Sequence, residues 1–127
     1  MKLAVVGSRG FTDYEILSRV IDELRKVYEI TTIVSGGAKG ADTLAEKYAS
    51  DHGLELDIFP AKWKELGKKA GYARNHDIWN NSDFGVAFWD GQSKGTAHSF
   101  AIAKNQNKKL FVFNYSDMDF YLVHDKT

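Results

Sequence analysis

The sequence predicts an α/β fold built on a mostly parallel five-stranded sheet in the order 3-2-1-4-5, with helices on both faces as three layers. Three observations predict it. Short apolar runs alternate with stretches of helical periodicity, as βαβ units require. The first and fourth runs, Leu3 to Val6 and Phe84 to Trp89, are apolar nearly throughout, as befits central strands covered on both sides. Three of the runs end in polar, glycine-bearing turns that lead into helices.

Taken in order, Leu3 to Val6 is a strand that stops at Gly7-Ser8-Arg9-Gly10-Phe11. Thr12 with Glu15 three residues on fits a capping box, and Ile16, Leu17, Val20, Ile21, Leu24 and Val27 keep the helical period to about Tyr28. Thr31 to Val34 is the second strand. It runs through Ser35-Gly36-Gly37-Ala38-Lys39-Gly40-Ala41-Asp42 into a helix marked by Ala41, Leu44, Ala45, Tyr48 and Ala49, which His52-Gly53 terminates. Leu54, Leu56 and Ile58 alternate with Glu55 and Asp57, the pattern of a strand at a sheet edge. Pro60 opens a basic and aromatic segment, after which a helix from about Ala73 to Asn81 carries Arg74, Asn75, His76 and Asp77. Phe84 to Trp89 follows as the fourth strand, and Asp90-Gly91-Gln92-Ser93-Lys94-Gly95-Thr96-Ala97-His98 turns into a small-residue helix with Ala97, Ala101 and Ala103. Leu110 to Phe113 is the fifth strand; Asn114 to Thr127 carry no pattern that assigns them. The chain reads as one domain over residues 1–127, with its core in 3–113.

Right-handed crossovers put the reversal of strand order between the first and fourth strands, and ligands of such sheets bind beyond the carboxyl ends of the strands at that point. All three glycine turns lie there. The Ser35 to Asp42 turn offers backbone amides at the positive end of a helix dipole, so it reads as a phosphate cradle. It is neither a Walker loop nor the dinucleotide fingerprint in its usual spacing.

Composition narrows the partners. Seventeen basic residues balance seventeen acidic ones, so no global field draws the protein to nucleic acid or to an acidic membrane, and any anion site is local. The lack of cysteine removes disulfides, thiol catalysis and thiolate metal sites. After Met1-Lys2 only four apolar residues precede Gly7, too few for a signal peptide or a membrane span, and the expected location is the cytoplasm.

Gly7-Ser8-Arg9-Gly10-Phe11, Ser35-Gly36-Gly37-Ala38-Lys39-Gly40-Ala41-Asp42, Arg74-Asn75 and Gly95-Thr96-Ala97-His98 together resemble the YspA-type, cpYpsA-related branch of the SLOG superfamily. That superfamily is Rossmann-like and includes the LOG phosphoribohydrolases and the DprA DNA-processing proteins. The resemblance runs from about Leu3 to Phe113 and implies a pocket for a nucleotide or a nucleotide derivative of the ADP-ribose or NAD type, in bacterial or phage proteins. It also implies a homo-oligomer. Against the LOG enzymes, Arg74, then Ser82-Asp83, then Gly95-Thr96 match in order and spacing, which opens the alternative of N-glycosidic hydrolysis of a nucleoside 5′-monophosphate. The catalytic glutamate of those enzymes falls on Ser99, however, and Asp90, Asp42 or His98 are the groups left to replace it.

The ligand-binding candidates are Gly7, Ser8, Arg9, Ser35, Gly36, Gly37, Ala38, Gly40, Asp42, Arg74, Asn75, Asp90, Gly91, Gly95 and Thr96, with Arg74, Asp90 and His98 as catalytic candidates. Arg9 suits a phosphate because its guanidinium fork matches phosphate oxygens. Asp42, in the first turn of its helix, suits ribose hydroxyls or simply the helix dipole. Lys39 reads as a surface lysine. The four histidines lack metal spacing, so no metal is expected, and no nucleophile elbow is present. No cofactor follows beyond the nucleotide ligand. Lys62-Trp63-Lys64, Lys68-Lys69, Tyr72, Arg74 and Trp79 interleave charge and aromatic rings as single-stranded DNA binders do, which keeps a DprA-like nucleic-acid reading open. Zero net charge favours a basic loop with its aromatics anchored in the core.

Overall fold

A computed structural model describes residues 1–125. Its elements in chain order are β1 (Lys2–Gly7), α1 (Tyr14–Val27), β2 (Thr32–Ser35), α2 (Ala41–His52), β3 (Glu55–Ile58), α3 (Trp63–Leu66), a 3-10 turn (Gly67–Lys69), α4 (Ala70–Asn80), β4 (Phe84–Trp89), α5 (Lys94–Asn105), β5 (Leu110–Asn114) and β6 (Asp119–His124). The strands form one sheet in the order β3-β2-β1-β4-β5-β6. The first five are parallel, and β6 returns antiparallel to β5 with Phe113 opposite Phe120.

The expected order holds, but the sheet has six strands rather than five. The addition falls in the stretch that carried no assignable pattern, where Tyr115 to Met118 reverse the chain and Met118 adopts φ 57°. Lys126 and Thr127 lie outside the described residues. Two helix starts also move. Asp13, not Thr12, caps α1: its carboxylate accepts the Ile16 amide at 3.0 Å. The helix expected from Ala73 begins at Ala70, because α3 and the 3-10 turn before it feed directly into it.

Alternation along the strands divides the core. Leu3, Val5, Ile33, Phe84, Val86 and Phe88 face α1 and α2, packed with Leu17, Ile21, Ala45 and Tyr48. Ala4, Val6, Val34, Ala87, Leu110 and Val112 face α4 and α5, packed with Ile78, Trp79, Ile102 and Ala103. Each fully buried large side chain contributes about 1.5–3 kcal/mol of transfer free energy. The glycine inside β4 has a packing cause: a Cβ at Gly85 would lie 2.9 Å from Trp79 Cζ3, so the far edge of the indole takes the space of a side chain. Trp79 is therefore core and leaves the basic, aromatic set. The edge strand β3 keeps Leu56 and Ile58 exposed, so its alternation marks the edge without being covered by a helix.

Candidate functional site

Strand order reverses between β1 and β4, which pair in parallel from Leu3↔Phe84 to Gly7↔Phe88. Beyond their carboxyl ends lies a cleft of about 520 Å³. Four segments wall it: the β1–α1 turn with Gly7, Ser8, Arg9 and Gly10; the start of α2 with Ala38 and Asp42; the α3–α4 segment with Trp63, Lys68, Tyr72, Arg74 and Asn75; and the β4–α5 turn with Asp90, Ser93, Gly95 and Thr96. A second groove of about 430 Å³ shares Arg9, Ala38, Trp63 and Arg74 with it and adds Gly36, Gly37 and Lys39. The three glycine turns thus converge on one side of the sheet.

Close backbone approach makes the convergence. A Cβ at Gly7 would sit 2.6 Å from both Ala41 Cβ and the Phe88 carbonyl. Gly40, at φ 80°, tucks under the first turn, where a Cβ would meet the Arg9 carbonyl at 2.6 Å. Ser8 ties the first turn to the third: its amide donates to Phe88 O at 2.9 Å and its hydroxyl accepts the Asp90 amide at 3.3 Å.

The Ser35 to Asp42 turn differs from the open cradle that its glycines suggest. The Gly37 amide donates to Ser35 Oγ at 3.3 Å, and the Ala38 amide to the Asp42 carboxylate at 3.2 Å. Asp42 is 6% exposed, so its own carboxylate fills the place expected for a phosphate. Burial pushes its pKa up to about 6, against the pull of the Ala38 amide, the Arg74 guanidinium and the Gly36 amide. Ser35 is buried and donates its hydroxyl to Asp42 O at 3.3 Å, which places it below the cleft.

Two guanidiniums line the cleft beside that turn. Arg9 makes no hydrogen bond or ion pair among the described residues. Arg74 donates from Nη1 to Gly36 O at 2.9 Å and from Nε to Asn75 Oδ1 at 3.3 Å. Its pKa is drawn down by burial, up by Asp42 and down again by Arg9, so the two guanidiniums are close enough to feel each other. Asn75, 8% exposed, donates in turn to Gly95 O and lies 3.2 Å from His98 Nδ1.

The remaining candidates have structural duties. Asp90 accepts the Gln92 and Ser93 amides at 2.9 and 2.7 Å, and these two bonds hold its carboxyl below the usual range. Gly91, at φ 85°, makes the bend behind it and stays outside the cleft wall. Ser93 caps α5 by accepting the Thr96 amide, so the helix starts before the small residues that marked it in the sequence. His98 sits behind Asn75 rather than in the wall. Ser82 and Asp83 bond to Ile78 O and to the Lys2 amide at the opposite end of β4, so the order match to an active-site pair does not bring them to the cleft.

Sequence reading left Trp63, Lys68 and Tyr72 out of the site, assigning them to a strand-binding segment or to the core. Trp63 and Tyr72 are about half exposed, at 51% and 50%, and both face the cleft. Ser99 lines the cleft floor at 1% exposure with its hydroxyl unpartnered. Among the described residues no group of histidines and carboxylates could hold a metal, and no helix is long and apolar enough to cross a membrane.

The chain is similar to several known proteins. Over 123 aligned residues it is 32% identical to the Gene 61 protein of Mycobacterium phage D29, covering 91% of this chain and 97% of that one. Among solved structures it superposes on DNA processing protein A from Helicobacter pylori, described for its single-stranded DNA binding mode, with TM-score 0.60 and 26% identity over 88% of this chain. It superposes on DprA from Streptococcus pneumoniae with TM-score 0.67 and 24% identity over 87%, a likeness of fold. The matched regions are 64% and 49% of those two chains. The model of the YspA, cpYpsA-related SLOG family matches residues 1–66, which hold the first two glycine turns. With that match over half its length and a phage relative aligned along nearly all of it, the chain belongs to the YspA, cpYpsA-related SLOG family.

Proposed function

We propose that this protein, as a single domain over residues 1–127, binds a nucleotide or a nucleotide derivative of the ADP-ribose or NAD type in the cleft between the three turns. The observation that carries the reading is Arg9, a guanidinium with no hydrogen-bond or ion-pair partner among the described residues, facing a cleft beside the half-buried Arg74. Two guanidiniums suit the two charges of a phosphate ester or a diphosphate bridge, and their fork geometry suits its oxygens. Trp63 and Tyr72 supply exposed aromatic faces for a base. The cleft volume lies within the range of small-molecule sites, about 300–1,000 Å³. Gly7, Ser8, Gly36, Gly37, Ala38, Gly40, Asn75, Gly95 and Thr96 shape the walls around it. Calorimetric titration of ADP-ribose, NAD and the common mononucleotides against wild type and Arg9→Ala tests the reading. Binding that weakens at least about tenfold in Arg9→Ala supports it, since a hydrogen bond to a charged group is worth about 1.5–3 kcal/mol. No binding by any of them overturns it.

A second reading, single-stranded DNA binding, is favoured by the likeness to the Helicobacter pylori protein and by exposed Trp63 and Tyr72 beside Lys62, Lys64, Lys68 and Lys69. N-glycosidic hydrolysis has the weakest footing, because Asp90 is engaged by the Gln92 and Ser93 amides and Ser99 brings no carboxylate. We place the protein in the cytoplasm as an oligomer of at least two copies, a state that light scattering on an eluting peak reads directly.

A further inference from the structure

The geometry points to His98 as a positioning residue that, through Asn75, holds Arg74 in the cleft only while its imidazole is neutral, so that anion binding is switched off by acid. The inference rests on the cleft being the binding site and adds its regulation.

The orientation of the Asn75 amide is fixed from both ends. Arg74 Nε can only donate, so the Asn75 atom 3.3 Å from it is the oxygen. Gly95 O can only accept, so the atom 3.3 Å from it is the nitrogen. That same nitrogen lies 3.2 Å from His98 Nδ1, which must then present a lone pair. The proton of neutral His98 accordingly sits on Nε2. Arg74 in turn donates to Gly36 O at 2.9 Å, so one chain of hydrogen bonds runs from α5 through α4 to the β2–α2 turn.

A second proton on His98 goes to Nδ1 and sets N–H against the Asn75 NH₂. Flipping the amide would relieve that contact, but it would aim the amide oxygen at Gly95 O and the nitrogen at Arg74. A flip thus breaks the bond to Arg74, and an imidazolium that swings away instead removes one of the partners that fix the Asn75 amide. The groups packed on the ring, His76 at 5.4 Å and Tyr72 edge-on at 4.7 Å between ring centres, both come from α4, and Tyr72 also walls the cleft. Burial and then His76 lower the His98 pKa, so the neutral, orienting form prevails at neutral pH and the switch lies below the ordinary histidine range.

The test reads the free protein first. Side-chain nitrogen NMR across a pH titration is expected to show neutral His98 protonated on Nε2, and Asn75 amide and Arg74 Nε signals that shift together as His98 titrates. Both shifts persist in Asp42→Asn, which removes the other group that titrates near Arg74, and vanish when His98→Gln, whose amide oxygen accepts without titrating, is added to it. His76→Gln is expected to raise the His98 pKa and leave the chain intact. A proton on Nδ1, or Asn75 and Arg74 signals that stay still while His98 titrates, overturns the inference. In the Asp42→Asn background, affinity for ADP-ribose, a diphosphate diester with no phosphate proton to lose between about pH 5 and 8, is expected to fall toward about tenfold per pH unit below the His98 pKa and to stay flat once His98→Gln is added. If ADP-ribose and the other nucleotides fail to bind at all, the binding reading falls while the resonances still decide the positioning of Arg74.

Discussion

Asp42 occupies the position that a strand-to-helix glycine turn offers to an anion, and its burial has a thermodynamic consequence. Its folded pKa of about 6 lies above the value of about 3.9 for an unfolded aspartate. The folded protein therefore holds this proton more tightly than the unfolded chain. That advantage is complete below the unfolded pKa and is lost as the pH rises through about 6. Between about pH 7 and pH 5 wild type is expected to gain about 1 kcal/mol relative to Asp42→Asn, which cannot titrate. Urea denaturation of both proteins at the two pH values checks it, and equal pH dependence would show that the carboxyl titrates normally. His98, with a lowered pKa, acts in the opposite sense but is present in both proteins, so it cancels in the comparison. Residue types at the site were legible in the sequence: glycines at strand ends, Arg9, Arg74, and an acid in the first turn of α2. What a glycine pattern cannot convey is who fills the turn, because the Ala38 amide's choice of Asp42 over a ligand depends on a folded geometry.

Among the elements, those with a clear apolar pattern were legible, the four-residue β2 and β3 included, and those without one were not. Leu17, Ile21 and Leu24 form the buried stripe of α1, and its limits were read to within two residues. Its cap was misplaced by one because Thr12 and Asp13 are both good capping residues, and only the side-chain contact decides between them. Asp13→Ala is expected to cost about 1 kcal/mol and Thr12→Ala under about 0.5 kcal/mol, read as shifts in the thermal or urea midpoint. Comparable losses in both would place the cap at Thr12 after all. The four-residue α3 lacks a buried residue, and β6 presents Phe120, Leu122 and Val123 to solvent, so neither leaves the alternating or helical imprint that burial creates. One of these weakly marked pieces reaches the candidate site, since α3 carries Trp63 to the cleft.

For the molecule as a whole, the reversal of strand order places the cleft, and the two proposed ligands make different physical demands on it. A free nucleotide needs the cleft floor and the two guanidiniums, whereas a strand needs the segment in which Lys62, Lys64, Lys68 and Lys69 neighbour Trp63 and Tyr72 in sequence. The distinction is measurable because the two modes spend different forces. A strand crossing that segment displaces counterions from several phosphates, so its affinity should fall with salt at a slope of about −0.7 per phosphate contacted. Each stacked base is worth about 1–3 kcal/mol, so Trp63→Ala and Tyr72→Ala should each weaken an oligothymidylate by about that amount. A nucleotide held by Arg9 should instead lose most in Arg9→Ala and show a shallower slope, because one ligand carries few phosphates. Fluorescence anisotropy of a labelled oligothymidylate over a salt series, run beside calorimetry on the mononucleotide, separates the two. A steep slope with losses concentrated at Trp63 and Tyr72 assigns the site to a strand. Oligonucleotide binding that is absent or flat in salt, beside nucleotide binding that depends on Arg9, assigns it to the free ligand. Zero net charge sharpens the comparison: with seventeen charges of each sign no distant field assists the strand, and any steepness must arise from that segment itself.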